Sequence, residues 1–542
     1  MTLSIATDNM IRTRYILLSL LLLSAVVHSQ NKCSVNYFTE LNAIMSKGDY
    51  APFWLTANRQ GLSSVDKANG YARAGLSLTG DFAAGKYHYK AVADVVGGYN
   101  QTTNLALHQL YGELSWRWLT LSVGQKECFG EMSALSVIDN GAQFGDNRVT
   151  ALFPNLYNNR FYSLGSGAQG YSGNSRPIPQ VRIEIPEYIN FPWTKEWVKV
   201  RAHIAYGMFM DGGFQEDFSA GNRNTRYTKN VLYHSKAFFV KVGKPERFPI
   251  TFEGGLEMYS QFGGDVYKHG EGKTLSMPNG VEDFFKALIP MSGSDETPTP
   301  EQSNISGNQV GNWHFALTLH TKPVDVRLYG QHMFEDFSQL FFVEYQSDIN
   351  GDRNIIYYPW KDIMVGVNVK NKSSFLPFIS NVNYEYIATY NQSGAGYNDP
   401  GPHFTEQMDG VDDYYNHSIY AGWHNYGMGI GNPLVFSPLY NRNGSLRFAG
   451  NRLKAHHVGV NGAVGEKLPF VYRLMYTYSE NWGTYYNPFN NKRYTTSLVA
   501  DVGFSPKKSK WMATLSLAYD KSNWIGENLG VMFSVARVGI FK

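Results

Sequence analysis

Cysteine is nearly absent from this chain: Cys33 and Cys128 are the only two in 542 residues. That excludes a cysteine-clustered metal centre. The two could bridge in an oxidising compartment, but geometry and not sequence spacing decides it. Charge is also sparse, at 17% of residues with a net of +3. A nucleic-acid partner would call for a concentrated basic patch, and none stands out. Beyond the N-terminus no apolar run approaches the roughly 20 residues of a spanning helix. Catalytic signatures are missing as well: there is no GxSxG elbow, no HExxH and no Walker loop. Gly427 and Gly429 form a Gly-x-Gly pair without the strand–helix context that gives such glycines meaning. Two classes remain, a large secreted soluble protein and a transmembrane β-barrel.

The N-terminus indicates export. Arg12 and Arg14 precede the apolar run YILLSLLLLSAVV from Tyr15 to Val27. Val27-His28-Ser29 then offers a cleavage site, so residues 1–29 read as a signal peptide cut after Ser29. The run is short for an anchor helix. Lys32 precedes Cys33 where a lipobox needs a small residue.

What the chain has in quantity is aromatics and glycine: 37 Tyr, 33 Phe and 53 Gly. Outer-membrane barrels use Tyr, Trp and Phe as girdles at both interfaces. Alternation of period two recurs. Leu110, Gly112, Leu114 and Trp116 oppose Tyr111, Glu113 and Ser115, with a tight turn at Arg117 and Trp118. Val200, Ala202 and Ile204 oppose Arg201 and His203, Phe252 and Leu256 oppose Glu253 and Glu257, and Val326 and Leu328 oppose Arg327 and Tyr329. A barrel turns one such face to lipid and the other to a polar lumen. Several runs have the length of a tilted membrane crossing rather than of a soluble strand. The chain ends on one, with Val531, Phe533, Val535 and Phe541 alternating against Met532, Ser534 and Ala536. A terminal strand of this kind suits the barrel insertion machinery.

Connections differ sharply in length. Lys322-Pro323 is minimal, whereas 265–310 and 391–455 are long and polar, which in a barrel marks periplasmic turns and extracellular loops. The reading is therefore an all-β transmembrane antiparallel β-barrel over 66–542. Residues 30–65 read as a short N-terminal periplasmic segment with room for a helix over 36–50.

Candidate chemistry is thin. His456 and His457 are adjacent and face opposite sides of a strand. Asp409, Asp412 and Asp413 read as solvated loop charge more readily than as a Ca²⁺ site, which needs six or more oxygens. No activated nucleophile–base pair stands out, so the chain reads as non-enzymatic, with no cofactor. The long loop 411–432, VDDYYNHSIYAGWHNYGMGIGN, mixes aromatics, amides and acids. Flat apolar rings with polar tips and directional hydrogen-bonding groups suit sugars. Girdle or loop packing explains the same composition.

Four segments carry a resemblance: APFWLTANRQG (51–61), SGNSRPIPQVRI (172–183), FEDFSQLFF (334–342) and DDYYNHSIYAGWHNYGMGIGNPL (412–434). Each resembles, in this order, segments of the Wzi-type capsule assembly proteins of Bacteroidetes-like bacteria. The resemblance implies an 18-stranded outer-membrane barrel. It also implies a lectin-like role, with extracellular loops binding capsular or surface polysaccharide. On that reading Asp412, Asp413, Tyr414, Tyr415, Trp423, Asn425, Tyr426 and Arg442 are the candidate glycan contacts. The competing reading is a porin-like channel for sugars or other small solutes, and behind it an outer-membrane hydrolase. A channel needs an open lumen, and a Wzi-like barrel a filled one.

Overall fold

The computed structural model describes residues 33–128, 163–289, 307–335, 343–347, 353–357, 360–373, 377–392, 412–464, 470–504 and 509–541. The expected signal peptide lies outside them. Eighteen strands form the wall. The first seven are β1 (Cys33–Lys47), β2 (Ala68–Phe82), β3 (Tyr87–Tyr99), β4 (Leu105–Trp116), β5 (Leu119–Gln125), β6 (Pro179–Asn190) and β7 (Val198–Met208). Next come β8 (Leu232–Val242), β9 (Ile250–Phe262), β10 (Asn308–His320), β11 (Val324–Glu335), β12 (Ile363–Asn371) and β13 (Asn381–Ala388). The last five are β14 (Leu453–Val464), β15 (Phe470–Gly483), β16 (Pro488–Phe504), β17 (Trp511–Ser522) and β18 (Glu527–Phe541). Each strand pairs antiparallel with its neighbour in sequence, and β1 pairs with both β2 and β18. The sheet thus closes on itself, which leaves no edge.

The alternation read from sequence is the inside–outside alternation of this wall. Leu76, Leu328, Leu474, Leu517 and Phe533 are all about half exposed, facing outward, as lipid-facing side chains must. The charges on the opposite face turn inward and pair. Glu253 accepts from Arg327 at 3.0 Å and lies 3.3 Å from Lys241, and Glu257 meets His314 at 2.8 Å. The tight turn at Arg117 and Trp118 joins β4 to β5, and Thr321–Pro323 joins β10 to β11. Pro179 opens β6, where its missing N–H costs least.

The N-terminal segment departs from the expected periplasmic helix. Residues 36–50 supply most of β1, a full wall strand. Asn36, Phe38, Glu40, Asn42 and Ile44 are buried inward, while Leu41 and Met45 stand 63% and 70% exposed. The inward set mixes polar and apolar residues, which hides the period from a hydrophobicity reading. Ala51 to Val65, also expected outside, lies inside the barrel and is buried throughout except at Asn58. Cys33 and Cys128 are both free. The first starts β1 at the short-turn end, and the second follows β5 toward the other end.

All the long connections leave one end of the barrel, the end that faces outward in outer-membrane proteins. Their described residues include regular structure. Arg226–Lys229, Asp265–Lys268 and Gly272–Ser276 form a small three-stranded sheet there, and Val281–Leu288 is helical.

Candidate functional site

Three segments fold from the outer end back into the lumen: 51–66, 163–178 and 412–452. Their side chains bond to the wall around its circumference. The Phe53 amide donates to Asp520 of β17 at 2.8 Å, and the Trp54 indole to Thr477 of β15 at 3.1 Å. Ser166 N donates to Glu385 of β13, and Gln169 N to Gln331 of β11. The Gln261 amide of β9 reaches Gly422 O at 3.3 Å. Arg176, in the RPIP segment, stacks 4.5 Å from the Tyr426 ring and donates to the hydroxyls of Thr102 and Thr103. The segments also hold each other. Trp423 Nε1 donates to Gly170 O at 2.7 Å, Asn425 to Arg176 O at 3.0 Å, and Tyr415 O–H to Gln169 O. Buried backbone of this kind must find partners, and here the three plug segments and the polar wall supply them.

This placement corrects most of the expected glycan contacts. Tyr414, Tyr415 and Trp423 are no more than 1% exposed, Asn425 is 3% and Asp413 8%. A soluble polymer cannot reach them, so their aromatic and amide character serves loop packing. Tyr414 bonds Asp362 and Tyr415 N bonds Glu335. Asp412 and Tyr426 are half-buried, and Arg442 is exposed. Of the two histidines, His456 faces outward against Tyr384 and His457 is buried against Leu164 O, so they hold no common ligand.

What remains accessible is a rim along the outermost part of the 412–452 segment. Arg442 donates to the Tyr50 hydroxyl at 3.0 Å, lies over its ring and pairs with Asp49 at 3.0 Å. Asn441 donates to Arg447 O at 2.7 Å, and Arg447 pairs with Asp413 at 2.6 Å. Tyr485 and Tyr486 cross edge-on at 5.2 Å in the β15–β16 turn. Burial first, and then the carboxylates of Asp413 and Asp412, push the Tyr486 phenol up. Asp49, Tyr50, Arg447, Tyr485 and Tyr486 escaped the sequence reading. Asp49, Tyr50, Tyr485 and Tyr486 sit in a short turn or next to a strand, and Arg447 lies inside the long 412–452 segment, where little but the adjacent Tyr-Tyr pair hints at a surface.

Among the described residues, Asp94, His108 and Glu127 form the one His/carboxylate trio close enough to share an ion. A β-bulge sets it up. The β3–β4 register steps between Asp94 and Val95, which pair with Gln109 and Leu107 and leave His108 as the extra residue. Such bulges re-aim side chains, and here His108 and Gln109 both point inward. Arg73 already binds both carboxylates, through a forked bond to Asp94 and 2.8 Å to Glu127. The guanidinium occupies the cation's place.

Titration couples the plug to pH. Desolvation lowers the His424 pKa from 6.5 to about 4. Between those values the unfolded segment binds the proton and the packed one does not, so falling pH weakens packing, by about 3 kcal/mol at most. Asp362, beside Tyr414, is raised by burial to about 6. Its packed form takes a proton first, so falling pH strengthens packing by a similar amount. The two effects oppose. Asp362→Asn is therefore expected to make the plug open as pH falls from 6 to 4, read as proteolysis of the 412–452 segment. His424→Gln is expected to shift the response the other way. Identical profiles for wild type and both variants would refute the coupling.

A closed 18-stranded antiparallel barrel with a lipid-facing apolar wall defines an outer-membrane protein. Comparison with solved structures agrees. The chain is similar to Wzi of Escherichia coli, described as a carbohydrate-binding β-barrel outer membrane protein involved in group 1 capsule assembly. Identity is 13%, with 92% of this chain and 83% of that one covered, and the TM-score is 0.51. It is also similar to OccK5 (OpdH) of Pseudomonas aeruginosa, at 8% identity, 94% and 99% coverage and a TM-score of 0.45. OccAB4 of Acinetobacter baumannii gives 9%, 94% and 99%, and 0.43. The likeness to Wzi supports the barrel fold alone. No family model matches the chain, and no curated protein matches it.

Proposed function

We propose that this protein is a non-enzymatic, lectin-like outer-membrane barrel that binds capsular or surface polysaccharide at its outer rim and supports capsule assembly and attachment. The observation that carries this reading is the packed lumen. Residues 51–66, 163–178 and 412–452 fill the space a porin leaves for solute, with rings such as Trp54, Tyr415 and Trp423 at its centre. A barrel that does not conduct works through its surface. The exposed end offers Tyr486, with Tyr485 beside it, as a flat face, and Asp412, Arg442 and Arg447 as hydrogen-bonding groups, the mixture that sugars need. Wzi, whose fold is similar, is described as carbohydrate-binding.

The test is deletion of the gene, with cell-attached and released capsular polysaccharide measured separately. The expected result is a collapse of the attached share while total synthesis holds. Unchanged shares, together with large steady conductance steps from purified protein in planar bilayers, would replace this reading with a channel.

A further inference from the structure

The outer surface of β14–β18 carries a feature that neither wall building nor a polysaccharide rim requires. An apolar groove of about 410 Å³ runs down the lipid-facing wall, lined among others by Val458, Leu474, Tyr476, Leu498, Ala500 and Leu517. Ala500 forms its floor. The register sets it beside Leu474 on one strand and Leu517 on the other, so a methyl lies between two larger side chains.

Reading outward along β14, the lipid-facing positions are Val460, Val458, His456 and Lys454, and along β15 Leu474, Tyr476, Tyr478, Glu480 and Trp482. The sequence passes from aliphatic to aromatic to charged within one strand, as it must on crossing from acyl chains to headgroups. At the top, Tyr390 and Trp482 meet edge to face at 4.7 Å. Lys454 Nζ lies 4.8 Å from the Tyr390 ring and 5.7 Å from Trp482, and Lys492 Nζ lies 6.0 Å from Trp482. Arg452 sits 4.5 Å from Tyr390. Three cations thus gather on one aromatic pair; among the described residues Glu480 pairs with Lys492 at 2.8 Å, and the buried Asp362 acts on Arg452 from the inner side. Across the groove, Lys521 stands opposite Glu527 and that edge is neutral. Cation–π contacts hold the ammonium groups at headgroup height, where long lysine stems already tend to reach.

We propose that this sector binds one outer-leaflet lipid with a phosphorylated headgroup, its phosphate on Lys454 and Lys492 and an acyl chain in the groove over Ala500. The two halves are complementary to the two ends of such a lipid: excess positive charge above, a concave aliphatic channel below. This lipid site is independent of what the outer rim binds.

The test uses the full-length barrel in mild detergent, with bisphosphorylated lipid A and its dephosphorylated counterpart as probes and native mass spectrometry as readout. Wild type is expected to retain the phosphorylated lipid at least about tenfold better, near the 1.4 kcal/mol that a factor of ten represents. Lys454→Glu with Lys492→Glu is expected to abolish that preference. Ala500→Trp, which fills the groove, is expected to reduce retention of both lipids. If the charge reversal blocks assembly, seen as loss of the compact band in unheated gels, Lys454→Gln with Lys492→Gln reads the same loss. Equal retention of the two lipids by wild type, or an unchanged preference in the charge variants, overturns the site.

Discussion

Replacing Arg73 with methionine is expected to destabilise the barrel by about 3–5 kcal/mol. Arg73 projects from β2 into the lumen, 5% exposed, where it binds Asp94 of β3 and Glu127 beyond β5. Removing it leaves two carboxylates with too little positive charge, and a buried unpaired charge costs more than the pair gained. Methionine keeps much of the volume, so lost packing is a small part of the effect. The sharper expectation concerns rescue. Arg73→Met combined with Asp94→Asn and Glu127→Gln should recover more than half the loss, because the orphan charges go with their partner. Denaturant unfolding in detergent, followed by the heat-modifiable gel shift, measures wild type, Arg73→Met and the triple variant. A triple variant no more stable than Arg73→Met would show that the guanidinium acts by packing and not by charge.

Trp423→Ala should have a comparable energetic cost, about 3–5 kcal/mol by the usual scale for emptying a buried aromatic site, yet a different consequence. Trp423 is at the centre of the plug. Its ring lies about 6 Å from those of Tyr233, Tyr259 and Phe209, and its N–H bonds Gly170 O. The wall closes without it, through strand pairing from β1 to β18. The loss therefore falls on the plug. The barrel should still assemble, while the 412–452 connection becomes sensitive to protease added outside the cell and single-channel records gain openings absent from wild type. Full protease resistance in a correctly assembled variant would mean that the plug is held by its wall contacts alone.

Much of the wall was legible in the sequence. Runs such as Leu110 to Trp116 or Phe252 to Leu256 alternate cleanly because lipid admits only apolar side chains on one face. The charges opposite them, such as Glu253 and Arg327, are the pairs that line the lumen. Strand β1 was less legible because its inward face includes Phe38 and Ile44, which blur the contrast between faces. Its tie to β18 depends on pairing across nearly the whole length of the chain.

The plug was the least legible part. The segment from Asp412 to Arg442 has the composition of a sugar-binding surface loop, and sequence could not separate that from loop packing. Both demand flat rings with polar tips and amides that satisfy directional partners. In the folded barrel Trp423 bonds Gly170 O and not a sugar hydroxyl, and Asn425 bonds Arg176 O. Local period and composition were enough for a strand-built membrane wall and for which side of each strand faces lipid. The tertiary structure alone decided that three connections turn inward, that Arg447 and Tyr486 reach the rim with Arg442, and that Lys454 and Lys492 share one indole. Those depend on closure of the sheet, which fixes the space inside it and the neighbours outside it, and no local pattern encodes that.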